Sequence, residues 1–104
     1  QKMKKYKLAL TYHRKALKAR KKQGAIGIAI SYSVLGLYYQ EIENNLKALK
    51  YHKKALTIRK KELGKLDMDT SETYHNLGAT YEALRDYSRA LDFYQKSLVI
   101  NQEL

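Results

Sequence analysis

The side chains of this sequence that could do chemistry are three histidines and 21 Lys and Arg residues. A catalytic or metal-bound histidine needs a second ligand or an orienting partner at a defined spacing. His13 and His52 occupy the same slot of a repeated pattern, which explains them structurally, and His75 has no Cys or second His at ligand spacing. There is no Cys, so thiolate nucleophiles, thiolate metal ligands and disulfides are all excluded. Gly24-Ala-Ile-Gly27 has the spacing of a phosphate-clamping GxxG loop, but without a sheet to carry it the stretch reads as a turn between helices. No residue is assigned a catalytic, metal or cofactor-binding role, and the chain is read as a non-enzyme. The clustered Lys and Arg leave one chemistry open, attraction of an anion such as RNA, an acidic protein segment or a lipid headgroup surface. The competing reading is a solvated outer helix face.

The formal net charge of +11 is unevenly distributed. Residues 1 to 24 hold ten Lys/Arg and no acid, whereas residues 67 to 104 hold three Lys/Arg and seven Asp/Glu. With 104 residues the chain is one domain or part of one. No apolar run is long enough to span a bilayer and no signal-peptide core stands at the start, so the expected compartment is the cytoplasm, with the nucleus as the alternative. Pro is absent, Gly is scarce, and helix formers and tyrosine dominate, which predicts an all-α fold.

The elements follow from helical periodicity. Residues 3–22 carry Leu8, Ala9, Tyr12, His13, Ala16 and Leu17 on one stripe, predicting one amphipathic helix. A second helix is expected from about Ile26 to Ile42, with Ile28, Ala29, Tyr32, Leu35, Gly36 and Tyr39 on its stripe. Asn44 or Asn45 can cap a third, which Gly64 stops. Asp69 and Glu72 have capping-box spacing for a fourth helix starting near Thr70, and Asp86 can cap a fifth. Two of these helix pairs are copies of each other. Tyr32, Leu35, Gly36, Tyr39 and Ala48 recur as Tyr74, Leu77, Gly78, Tyr81 and Ala90, each 42 residues later. The first helix matches the second helix of each copy, so one second helix over 3–22 precedes two full units at 26–62 and 70–104 in a single array. Gly36 and Gly78 sit mid-helix, where Gly costs about 1 kcal/mol relative to Ala, so close helix packing must compensate. Ala9, Ala48 and Ala90 are the small residues expected opposite them, with Tyr32, Tyr39, Tyr74, Tyr81 and Tyr94 filling the space between neighbouring pairs.

At these residues the chain resembles the tetratricopeptide repeat, whose pattern is an aromatic, Leu-Gly, Tyr, then Ala followed four residues on by an aromatic. The second copy fills every slot; in the first, His52 takes the last aromatic slot. The 42-residue period is similar to the long-helix variant of kinesin light chains and Pins-type adaptors. Arg59-Lys-Lys-Glu-Leu-Gly64 and Asp69-Thr70 are similar to the kinesin-light-chain linker, although Asp67-Met68 replaces its His-Pro. Gly is missing at the turn inside each repeat, where Glu43 and Arg85 stand.

The resemblance implies a right-handed superhelical solenoid of antiparallel helix pairs, about five helices here, binding a peptide or partner protein on a concave face lined by first helices. That face would present Ile30, Ser33, Val34, Leu37, Gln40 and Glu41 from one repeat and Glu72, His75, Asn76, Ala79, Glu82 and Ala83 from the next. Asn76 matches the family's backbone-holding Asn, and Val34 departs from it. No Lys stands where the family clamps a C-terminal carboxylate. The second helices would turn Arg14, Lys15, Lys18, Lys21, Lys22, Lys47, Lys50, Lys53, Lys54 and Lys61 toward a convex face, the candidate polyanion surface. The first helix lacks its partner, and Leu98, Val99, Ile100 and Leu104 close the last without a polar cap. The chain is therefore expected to be a segment of a longer array or a unit that stacks on copies of itself.

Overall fold

A computed structural model describes residues 5, 7–9 and 21–104. Residues 5 and 7–9 are helical; of the helix expected over 3–22, residues 3, 4, 6 and 10–20 lie outside the described residues, Arg14, Lys15 and Lys18 among them. Four helices follow: α1 (Lys21–Glu41), α2 (Asn45–Leu63), α3 (Met68–Ala83) and α4 (Tyr87–Glu103). α1 pairs with α2, α3 with α4, and the two pairs join chiefly through α2 against α3. The result is an all-helical stack of repeated pairs.

Local chemistry accounts for the boundaries. Asn44 Oδ1 accepts the Lys47 N–H at 3.3 Å and Asp86 Oδ1 accepts the Arg89 N–H at 3.2 Å, so both second helices are capped from corresponding positions. α2 stops at Gly64, whose φ of 91° lies in the left-handed region. α1 and α3 end in the same Schellman turn. The N–H groups of Glu43 and Asn44 bond to Gln40 and Tyr39 carbonyls, and those of Arg85 and Asp86 to Glu82 and Tyr81 carbonyls. Such a turn puts one residue at positive φ, where glycine is the usual occupant. Here Glu43 (62°) and Arg85 (64°) take it.

Three expectations need correction. Gln23–Gly27 is not a connection, because α1, described from Lys21 onward, runs through it: without a proline, burial of Ile28 and Ala29 outweighs two weak helix formers. Asp69 and Glu72 do not form a capping box. Asp67, in extended conformation, caps α3 by accepting the Asp69 N–H at 2.8 Å, and Asp69 instead sits in the first turn, where its charge favours the helix N-terminus.

The third concerns the glycines. A Cβ on Gly36 would fall 2.5 Å from the His52 ring, and one on Gly78 would fall 2.8 Å from the Tyr94 ring. The residues opposite the glycines are therefore the aromatic-slot rings; Ala48 is buried beside Leu35 and Tyr39. The other rings stack within each pair rather than between pairs. Tyr51 lies between Tyr32 (5.9 Å) and Tyr39 (5.6 Å), and Phe93 between Tyr74 (6.0 Å) and Tyr81 (5.5 Å). The reason is spacing along the helix: rings at i and i+7 of the first helix flank one ring of the second once the glycine lets the axes approach. Between pairs the ties are polar as well. Arg59, buried on α2, donates to Thr73 Oγ1 at 2.8 Å, and Thr70 Oγ1 donates to the Gly64 carbonyl at 2.9 Å.

Two outcomes follow for stability. Glu43→Gly and Arg85→Gly each relieve a left-handed non-glycine residue and should raise stability by about 0.5–1 kcal/mol in urea unfolding. Gly36→Ala and Gly78→Ala gain helix propensity but overpack a buried ring, and should each lower stability by about 1–3 kcal/mol; a gain in either would refute the close-approach assignment.

Candidate partner-binding surface

The backbones of α1 and α3 also approach each other, whereas among the described residues those of α2 and α4 do not, so the stack bends toward its first helices. The face formed by α1 and α3 is the inner one. From Gln23 to Leu46 and from Leu66 to Leu84 there is no Lys or Arg, while Glu41, Asp69, Glu72 and Glu82 are exposed. α2 reverses this, with seven Lys/Arg and one acid, Glu62. The inner face is acidic and the outer face of α2 basic.

On the inner side Ile30 and Leu37, two turns apart, are about half exposed (46% and 48%). Glu72, His75, Glu82 and Ala83 are exposed, and Val34, Gln40, Asn76 and Ala79 half-buried. Ser33 departs from its expected place: it is buried, with a hydroxyl lacking any partner among the described residues, because it packs toward the helix interface. The side chain of Asn76 makes no hydrogen bond among the described residues.

Two positions are held from behind by the aromatic slot. Tyr94 donates its hydroxyl to Glu82 Oε1 at 2.8 Å while its ring packs near His75, 5.2 Å between centroids. Burial first, then the hydrogen bond to the Glu82 carboxylate and its charge, push the Tyr94 hydroxyl up to about 12. In the other repeat the ring of His52 meets Gln40, its Nε2 facing Oε1, an acceptor, so this nitrogen carries the proton. His52 is fully buried and its Nδ1 has no partner. Burial, helped by the positive charge of Arg59, lowers its pKa to about 4, leaving a neutral ring. Gln40 and Glu82 thus stand at corresponding points of the inner face, differing by one charge.

On the outer side Lys47, Lys50, Lys53 and Lys54 lie over the rings of Tyr39, Tyr51, Tyr81 and Tyr32, at 5.3 to 5.8 Å from their centroids. Lys61 is exposed nearby. Lys21 and Lys22 are exposed too, within the described part of α1. Sequence reasoning passed over Lys96, near the rings of Phe93 and Tyr74. Its signal was available, since Lys96 stands 42 residues after Lys54. Among the described residues no three His, Cys, Asp or Glu side chains cluster to hold a metal.

The buried neutral His52 dictates a pH response. Its folded value lies below its unfolded one, so between pH 6.5 and about 4 the unfolded chain holds the extra proton. The contribution is fully present above pH 6.5 and declines as pH falls toward 4. In urea titrations across this window, His52→Tyr, which restores the ring type of Tyr94, should flatten the decline; an unchanged slope would show that His52 is not its source.

The geometry can be set beside known proteins. No curated relative matches the chain. The sequence profile of the tetratricopeptide repeat matches it twice, over residues 1–61 and 27–103, so the two matches together span nearly its whole length. The tandem helix pairs, the glycine contacts and this match lead to one conclusion: the chain belongs to the tetratricopeptide repeat family.

Proposed function

We propose that the protein is a scaffold without chemistry of its own, which binds a basic segment of a partner protein on the inner face of α1 and α3. Repeats of this family generally mediate protein–protein interaction. What carries the finer reading is charge placement: exposed Ile30 and Leu37 lie among Glu41, Glu72 and Glu82, and no Lys or Arg stands from Gln23 to Leu46 or from Leu66 to Leu84. An extended or helical segment would set apolar side chains against Ile30 and Leu37 and Lys or Arg against the carboxylates, with the Asn76 amide bonding its backbone. Glu82 is oriented for this by Tyr94, so less side-chain entropy is lost on binding.

The expected outcome is that selection from a random peptide library enriches Lys- and Arg-containing sequences. Affinity of a selected peptide should fall about tenfold or more in the double variant Asn76→Ala, Glu82→Ala, measured by calorimetry, a loss of at least about 1.4 kcal/mol. Equal affinity in that variant would contradict the inner-face assignment.

A further inference from the structure

The outer side of the stack carries two clefts that partner binding on the inner face leaves unused. One, of about 480 Å³, lies between the end of α2, the following linker and α4. Tyr74, Val99 and Ile100 line its floor, Leu66 its side, and Lys60, Lys65 and Lys96 stand around it. The other, of about 690 Å³, lies between α1 and α2, with Ile28, Tyr32 and Ile58 beneath Lys21, Lys22 and Lys61. Tyr32 and Tyr74 are 42 residues apart, as are Thr57 and Val99 and Ile58 and Ile100, so the two clefts share these corresponding lining positions, while their lysines come from different places in the repeat. Each has one acid on its lining, Glu62 in the first and Asp92 in the second.

We infer that these clefts bind an acidic peptide segment bearing apolar side chains, one anchor per repeat. The charge argument is direct. Lys96 is bridged to Asp92 at 3.1 Å, but Lys60 and Lys65 make no ion pair among the described residues, so each rim has ammonium groups in excess of carboxylates. The floor selects between anions. Leu66 is 57% exposed and Val99 54%, apolar surface that a nucleic acid backbone or polyphosphate cannot cover favourably but a Leu or Phe side chain can. An open trough repeated along the stack suits a chain more than a compact small molecule, and apolar anchors flanked by carboxylates are the complement of apolar floors rimmed by lysines. This surface has the opposite charge to the inner face, so the two would hold different partners.

The test is fluorescence anisotropy with a labelled peptide of about ten residues, Asp and Glu surrounding a central Leu-Phe pair. The intact protein should bind it saturably, and affinity should fall about tenfold or more in Val99→Asp and in the pair Lys60→Glu, Lys65→Glu. Asn76→Ala, on the inner face, should leave it unchanged, so this proposal and the inner-face reading fail separately. All the outer substitutions are at exposed side chains, and a thermal melt confirms folding of each variant. Absence of saturable binding would overturn the inference, as would wild-type affinity in both outer variants. Equal affinity for a peptide with Ser-Ser in place of Leu-Phe would also overturn it, as would tighter binding of a uridine oligonucleotide insensitive to Val99→Asp; either would make the lysines a general polyanion surface.

Discussion

The contact on which the rest of the molecule depends is a ring laid on a glycine: His52 over Gly36 and Tyr94 over Gly78. A missing Cβ lets the second helix carry a planar side chain where two helix axes would otherwise be held apart. Once that separation is set, the neighbouring rings find their places. Tyr39 and Tyr51 stack at 6° and Tyr81 and Phe93 at 3°, and these ladders fill the two helix pairs from within. The short turns follow from the same closeness. With helices joined this tightly, one residue must adopt left-handed backbone, and the sequence places Glu43 and Arg85 there.

The same ring reaches through the pair to the surface of the first helix. Its polar atom meets Gln40 in one repeat and Glu82 in the other, so a substitution in the aromatic slot alters the orientation of a surface residue on another helix. Meanwhile the aromatic ladders hold α2 lysines over their faces on the outer side. A thin stack therefore separates acidic and basic surfaces across one layer of tyrosines.

Much of this could be read from residue spacing. The 42-residue recurrence identified the helix pairs; Asn44 and Asp86 start helices through their side-chain oxygens, and Gly64 ends one through its left-handed backbone. Less was recoverable where two local preferences compete. Asp67 and Asp69 are both acceptable caps, and the choice rests on backbone conformation that pattern does not carry. Gly24 and Gly27 suggest a turn locally, but tertiary burial keeps them helical. The partner of each glycine was misassigned because small-against-small is the simpler rule, whereas a flat ring against glycine gives the same close approach and buries more surface. For the inner face, periodicity places residues on a side but not at a depth, which is why Ser33 is buried while Ile30, three residues earlier, is exposed. Lys60, Lys65 and Lys96 come together only because a linker brings the end of α2 to α4, a proximity invisible along the chain.

The central claim is that packing residues and recognition residues occupy opposite sides of the same first helices, with partner binding on the inner side. The most direct measurement is an amide chemical-shift map of the isotope-labelled protein titrated with a Lys- and Arg-rich peptide. The account predicts shifts at Ile30, Leu37, Glu72, Asn76 and Glu82, with the amides of Lys50, Lys53 and Lys96 unmoved. Shifts concentrated on α2 and α4, with the inner faces of α1 and α3 silent, would contradict it.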